Sequence, residues 1–233
     1  MWAAWVMILC GFCFWVCGAA AQSTASADTA DCAAEETLIR LEESCNRRGP
    51  ITFTFHQQTI SAVFGNESTQ EGRVWLDPSG RFRVETDHET FISSGDTLWH
   101  WVPAYNQVTV RVRDLSSRAG SPTDFLYSLR RHFIPVDCQK DTLEGKVFLK
   151  VRTVAKTATA AVQRLTIWID PLRFLVERAE YVDYNDDRVN LYLSGVSKDS
   201  GDYNARYRLD FPDSVEVIVF PQKKRQQNPT GPR

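Results

Sequence analysis

Through much of the chain, apolar residues recur at every second position, the period of strands whose alternate side chains face one interior. Ile51, Phe53 and Phe55 alternate with Thr52 and Thr54. Val74 and Leu76, Phe82 and Val84, and Val108, Val110 and Val112 repeat the pattern. Asp77-Pro78-Ser79-Gly80, Ser94-Gly95-Asp96 and Pro103-Ala104-Tyr105-Asn106 separate these runs with turn chemistry, and Gly65-Asn66-Glu67-Ser68 reads as a polar loop. The alternation resumes at Val147, Leu149 and Val151; at Leu165, Ile167 and Ile169; from Leu175 to Tyr184; at Val189, Leu191 and Leu193; at Tyr207, Leu209 and Phe211; and from Val215 to Phe220.

Two stretches carry helical spacing instead. Ala34, Leu38, Leu41 and Cys45 form one apolar line, with Asp31 as cap, Glu35 and Glu36 at the positive end of the dipole, Arg47 and Arg48 at the negative end, and Gly49-Pro50 as the stop. Ser121-Pro122-Thr123-Asp124 predicts a second helix, with Phe125, Leu126, Leu129 and Phe133 on one side and Pro135 closing it. Helix, strands, helix, strands is an α+β order: one long, curved antiparallel sheet with two helices against its concave face. Trp75, Phe82, Phe91, Trp99, Trp101 and Tyr105 supply more aromatic surface than short strands need for pairing, which points to an apolar interior.

Composition adds an address. The 233 residues carry a formal net charge of -2, which suits one domain and gives no basis for nucleic-acid binding. Trp2 to Val16 is almost wholly apolar and Gly18-Ala19-Ala20-Ala21-Gln22 follows, so residues 1–21 read as a signal peptide cut after Ala21. Because no Lys or Arg precedes Arg40, an uncleaved anchor of ~20 residues stays open. Cys17 follows Phe14-Trp15-Val16, unlike a lipid-attachment site. Residues 22–30 read as a flexible lead-in, 31–220 as the domain, and 221–233, with Lys223-Lys224-Arg225, as a disordered basic tail. Among Cys32, Cys45 and Cys138, at most one bridge forms: the first two lie ~20 Å apart on one helix, so either Cys138 pairs or all three are thiols.

No residue pattern in the chain announces reaction chemistry. His56, His88, His100 and His132 make no metal or nucleophile spacing, and Asp183 to Asp187 is followed by Arg188 where a calcium loop turns on Gly. No nucleophile elbow or phosphate cradle occurs. The expectation is a binding protein without catalysis, metal or cofactor.

Several motifs, in order, resemble the periplasmic lipoprotein carrier LolA family. They are Phe55-x-Gln57 after a helix, Gly72-x-Val74-Trp75-Leu76 before a Pro and Phe82-Arg83, Ser94-Gly95-x-Thr97-Leu98-Trp99, Pro103 with Gln107-Val108, Ser121-Pro122, and Tyr207-x-Leu209-x-Phe211-Pro212-x-x-Val215. The resemblance implies an incomplete β-barrel with a lid of short helices over an apolar cavity. The cavity would be lined by Phe53, Phe55, Val74, Leu76, Phe82, Val84, Leu98, Val108, Val110, Leu149, Ile167 and Leu191. Leu38, Leu41, Phe125, Leu126, Leu129 and Phe133 would form the lid. It further implies a monomeric periplasmic chaperone that takes acylated lipoproteins from an inner-membrane ATP-driven exporter to an outer-membrane acceptor. A lipid sensor of the same fold and, behind it, a lipid-modifying enzyme are the alternatives. Where the family places an Arg beside the Pro to latch the lid, this chain has Asp77-Pro78, with Arg81 or Arg83 as candidate substitutes.

Overall fold

The computed structural model describes residues 32–94, 96–112, 122–183 and 185–220. The segments expected as signal peptide, lead-in and basic tail, and the caps expected from Asp31 and Ser121, lie outside the described residues. The chain opens with α1 (Ala34–Arg48), which buries Leu38, Leu41 and Cys45 and stops at Gly49, whose φ of 72° lies in the region glycine favours. An antiparallel meander follows: β1 (Ile51–Ile60), β2 (Glu67–Leu76), β3 (Phe82–Thr86), β4 (Thr90–Ser94), β5 (Thr97–Val102) and, after a single 3-10 turn at Pro103–Tyr105, β6 (Gln107–Val112). Two helical turns, α2 (Asp124–Tyr127) and α3 (Leu129–His132), lead to a second meander: β7 (Phe133–Leu143), β8 (Lys146–Ala155), β9 (Arg164–Ile169), β10 (Val176–Val182) and β11 (Arg188–Lys198). The last described elements are α4 (Tyr203–Arg206) and β12 (Glu216–Phe220).

These strands form one 12-stranded sheet in the order β12-β6-β5-β4-β3-β2-β1-β11-β10-β9-β8-β7. β1 joins the two meanders, pairing with β2 on one side and β11 on the other, with Phe55 opposite both Gly72 and Leu193. The sheet ends at β7 and β12 without closing on itself. Its main apolar cluster joins α1, α2 and α3 to the concave face through Leu38, Leu41, Leu129, Ile51, Leu76 and Ile169. The expected architecture, a strongly curved, unclosed sheet with a few short helices, is the one observed.

Local differences have physical causes. The second helix breaks at Ser128 (φ -150°, ψ 38°), and Phe133 begins β7 rather than ending a helix. Lys156 takes the carbonyl of His132 through its backbone N–H (2.8 Å) and that of Arg130 through its Nζ (2.7 Å), so the end of β8 captures carbonyls that a helix would need. Pro135 lies in β7, an edge strand with a register shift between Pro135 and Asp137, where a missing N–H is tolerated. Glu67 and Ser68 pair with Ile60 and Thr59 as strand, not loop. Tyr207 to Phe211 is irregular, and β12 pairs with β6 in parallel, the one non-antiparallel ladder recorded in the described sheet.

Cys138 is the bridged cysteine, with Cys32 as its partner. Cys45 stays a buried free thiol, and burial pushes its pKa up to about 12.

Candidate lipid-binding site

Directly paired residues share a face of a sheet, so the ladders sort the expected cavity residues. On the concave side, Phe82 faces Leu76 and Ser93, and Val84 faces Val74 and Phe91. The alternate rows run Arg83 to Ile92 to Trp99 to Val110, and Glu85 to Thr90 to Trp101 to Val108. Val108 and Val110 therefore face the convex side, away from Phe82 and Val84. Trp75 joins them there, opposite Arg83. Of the six aromatics that suggested an interior, Phe82 and Phe91 face it; Tyr105 is exposed.

An apolar cavity of about 250 Å³ lies between the concave face and α2. Phe53, Phe55, Val74, Val84, Ile167 and Leu191 line its wall, and Phe125 and Leu126 roof it. Leu76 and Phe82 belong to the solid cluster beside it, while Leu98 and Leu149 pack against that cluster. Leu38, Leu41, Leu129 and Phe133 are also cluster residues, so they support the roof from behind. The expected lining left out Pro122 at the start of the second helix, Val176, Ala179 and Leu193 on alternating strands, and the polar residues Gln57 and Tyr181. Leu165, read as a strand residue, also lines it.

Position in the wall follows from local chemistry. Gly72 stands opposite Phe55, and a Cβ there would collide with the carbonyl oxygen of Glu85 and with the Phe55 ring, at 2.7 and 2.9 Å. Only glycine lets the ring lie across β2. Asp170 sets the β9–β10 turn: it accepts the backbone N–H of Leu172 (2.8 Å) and Arg173 (3.1 Å), and the Arg173 Nε at 2.9 Å. Burial opposes its charge, but these donors hold the carboxyl well below the usual carboxylate range.

The roof is tied down by groups other than the expected latch. Arg81 bonds Asp77 through Nε at 2.9 Å and lies 4.8 Å from the Tyr207 ring centroid. Arg83 donates to the carbonyls of Arg206 (3.1 Å) and Arg208 (3.2 Å), so both arginines hold the segment after α4. The helices instead meet through Arg130, whose backbone N–H reaches Glu42 Oε1 at 2.7 Å and whose Nε reaches Glu35 Oε1 at 2.8 Å. The Tyr127 hydroxyl donates to the Gly49 carbonyl at 2.7 Å, and burial pushes its phenol above the ordinary range, which keeps it a donor. The Cys32–Cys138 bridge joins the segment before α1 to β7, and Ser44 Oγ donates to the Arg173 carbonyl at 2.8 Å.

A larger groove, about 940 Å³, lies on the convex side against α4. It is lined by Arg73, Arg83, Arg206, Glu71, Glu85 and Asp202 among others, a polar wall unsuited to hydrocarbon. His100 stacks on Phe91 (4.1 Å) and contacts Glu89 at 2.7 Å, a pair that no histidine spacing announced. Among the described residues, no group of three His, Cys, Asp or Glu could hold a metal ion, and no helix is long and apolar enough to cross a membrane.

Comparison with known proteins follows the same lines. An uncharacterized conserved protein from Thermus thermophilus has a TM-score of 0.53 at 13% identity, covering 80% of this chain and 99% of that one, and shares the fold. A LolA superfamily protein from Nitrosomonas europaea (TM-score 0.43, 10% identity, 76% and 98% coverage) and the Mycobacterium tuberculosis lipoprotein LppX (0.42, 12%, 72% and 99%) are also similar. Comparison with curated protein sequences returned no match. The family model described as outer membrane lipoprotein carrier protein LolA matches residues 50–204, from the start of β1 into α4, and the chain belongs to that family.

Proposed function

We propose that this protein is a periplasmic chaperone for acylated lipoproteins, receiving their acyl chains from an inner-membrane ATP-driven exporter and delivering them to an outer-membrane acceptor. The observation that carries this reading is the apolar cavity between the concave face and α2. At about 250 Å³ it lies just below the ~300–1,000 Å³ range of ligand pockets, so an acyl chain needs the roof to move. The physics sets the requirement. Each buried methylene gains ~0.8 kcal/mol, so a chain of ~14 methylenes resists release into water by ~11 kcal/mol. A carrier offsets most of that cost, and displacement of Phe125 and Leu126 from the cavity keeps affinity below the level that would prevent delivery. The exported address read from residues 1–21 suits a carrier that works in the periplasm.

The test is release of lipoproteins from spheroplasts incubated with purified protein. Wild type is expected to carry acylated lipoprotein into the soluble fraction. Val84→Trp, which fills the cavity from its wall, is expected to reduce release at least tenfold while retaining the far-ultraviolet spectrum. Equal release by both proteins would overturn the assignment.

A further inference from the structure

Among the described residues, the cavity wall is apolar except for Gln57 on β1 and Tyr181 on β10. Along β1 the concave-facing residues read Ile51, Phe53, Phe55, then Gln57 and Thr59; the first three are buried, the last two only partly. Gln57 pairs with Leu191, Leu191 with Ala179, and Tyr181 with Val189 in the next row. Gln57 and Tyr181 thus share one face, two strands apart, a lateral separation of roughly 10 Å at ~4.8 Å per strand. They mark the end of the cavity away from Ile51.

Gln57 Nε2 donates to Thr59 Oγ1 at 3.2 Å, which leaves the amide a second N–H. The Tyr181 ring packs against the core, yet its hydroxyl has no hydrogen-bond partner among the described residues. The residue is only partly buried and its hydroxyl is not a sealed atom, so it is open to a ligand in the cavity. Burial, with the Asp183 carboxylate, pushes the phenol above its ordinary pKa, so it stays protonated. Among the described residues, the lining includes no Lys, Arg or His. A carboxylate or phosphate drawn inside would lose hydration without gaining a counter-ion.

We propose that Tyr181 and Gln57 form a subsite for the uncharged carbonyl that links a hydrocarbon chain to its head group, an ester or amide, with the chain running from there toward Phe53 and Val74. This rests on the acyl-carrier reading and adds to it a direction and a specificity: the linkage lies at the Gln57 end, and neutral acyl linkages are preferred over ethers and free acids.

The test uses two probes of equal chain length and head group, 1-monopalmitoylglycerol and 1-O-hexadecylglycerol, titrated calorimetrically below their aggregation concentrations. Wild type is expected to bind the ester about three- to tenfold more tightly, the effect of one hydrogen bond in an apolar site. Tyr181→Phe is expected to erase that preference while leaving ether affinity unchanged, and Gln57→Leu to diminish it. Equal affinity of wild type for both probes, or a Tyr181→Phe variant that loses both equally, would overturn the subsite and leave the carrier reading standing. Failure of wild type to bind either probe would overturn both.

Discussion

Two residues fix the wall that the cavity needs. Gly72→Ala places a methyl against the Glu85 carbonyl and the Phe55 ring, an overpacking expected to cost about 1–3 kcal/mol, read as a lower urea midpoint at unchanged slope. Asp170 is nearly inaccessible, and its charged hydrogen bonds make Asp170→Asn a loss of about 2 kcal/mol at neutral pH. Because its folded-state pKa is depressed, that contribution is fully present above the ordinary carboxylate value and fades as pH falls toward the folded value. Thermal melts should therefore show wild type and Asp170→Asn well separated at pH 7 and converging below about pH 4. A separation that persists in acid would assign the difference to packing.

At the scale of elements, α1 is anchored by a covalent bridge, whereas α2 is tied to it by packing and by hydrogen bonds from Tyr127 Oη to the Gly49 carbonyl and from Asn46 Nδ2 to the Tyr127 carbonyl. The Cys32–Cys138 bridge secures the entry to α1, Ser44 ties its C-terminal half to Arg173, and Arg130 joins α1 to α3. Opening is expected to occur at α2, the element that supplies Phe125 and Leu126 to the cavity. Arg130→Ala should accelerate hydrogen exchange across residues 122–132 without altering β1 or β11; unchanged exchange would place the latch elsewhere. The double variant Cys32→Ser/Cys138→Ser should lose about 2–4 kcal/mol of stability, since it frees a link between residues 106 positions apart. The sequence made these elements legible where one rule dominated. α1 has an uninterrupted apolar line and a glycine stop, and β1 alternates cleanly. The broken second helix was not legible, because Lys156, 24 positions beyond His132, decides where its carbonyls go.

For the whole molecule, the curved sheet and its helical cover followed from the order of elements, but facing did not. Val108 and Val110 alternate as regularly as Phe82 and Val84, and only the ladder through β4 and β5 shows that they point the other way. An alternating strand announces an apolar side without saying which side of the sheet it is. Trp75 misled for a related reason: it is buried on the convex face beneath Arg206, whose guanidinium carbon lies 4.9 Å from the ring centroid, and Trp168 is covered likewise by Arg178 at 4.3 Å. Cations cover aromatic surface as effectively as a core does. The parallel β12–β6 pair needed the path of residues 199–215, where Tyr207, Leu209 and Phe211 alternate like a strand yet stay irregular.

The central claim is that the hollow under α2 holds hydrocarbon away from water, and affinity measured across a series of monoacylglycerols of increasing chain length tests it most directly. Each added pair of methylenes should tighten binding roughly tenfold until the chain outgrows the space that roof movement provides. Val84→Trp should shorten the chain length at which the gain stops. Affinity independent of chain length would contradict the account, because a site that gains nothing from longer tails is not sheltering them.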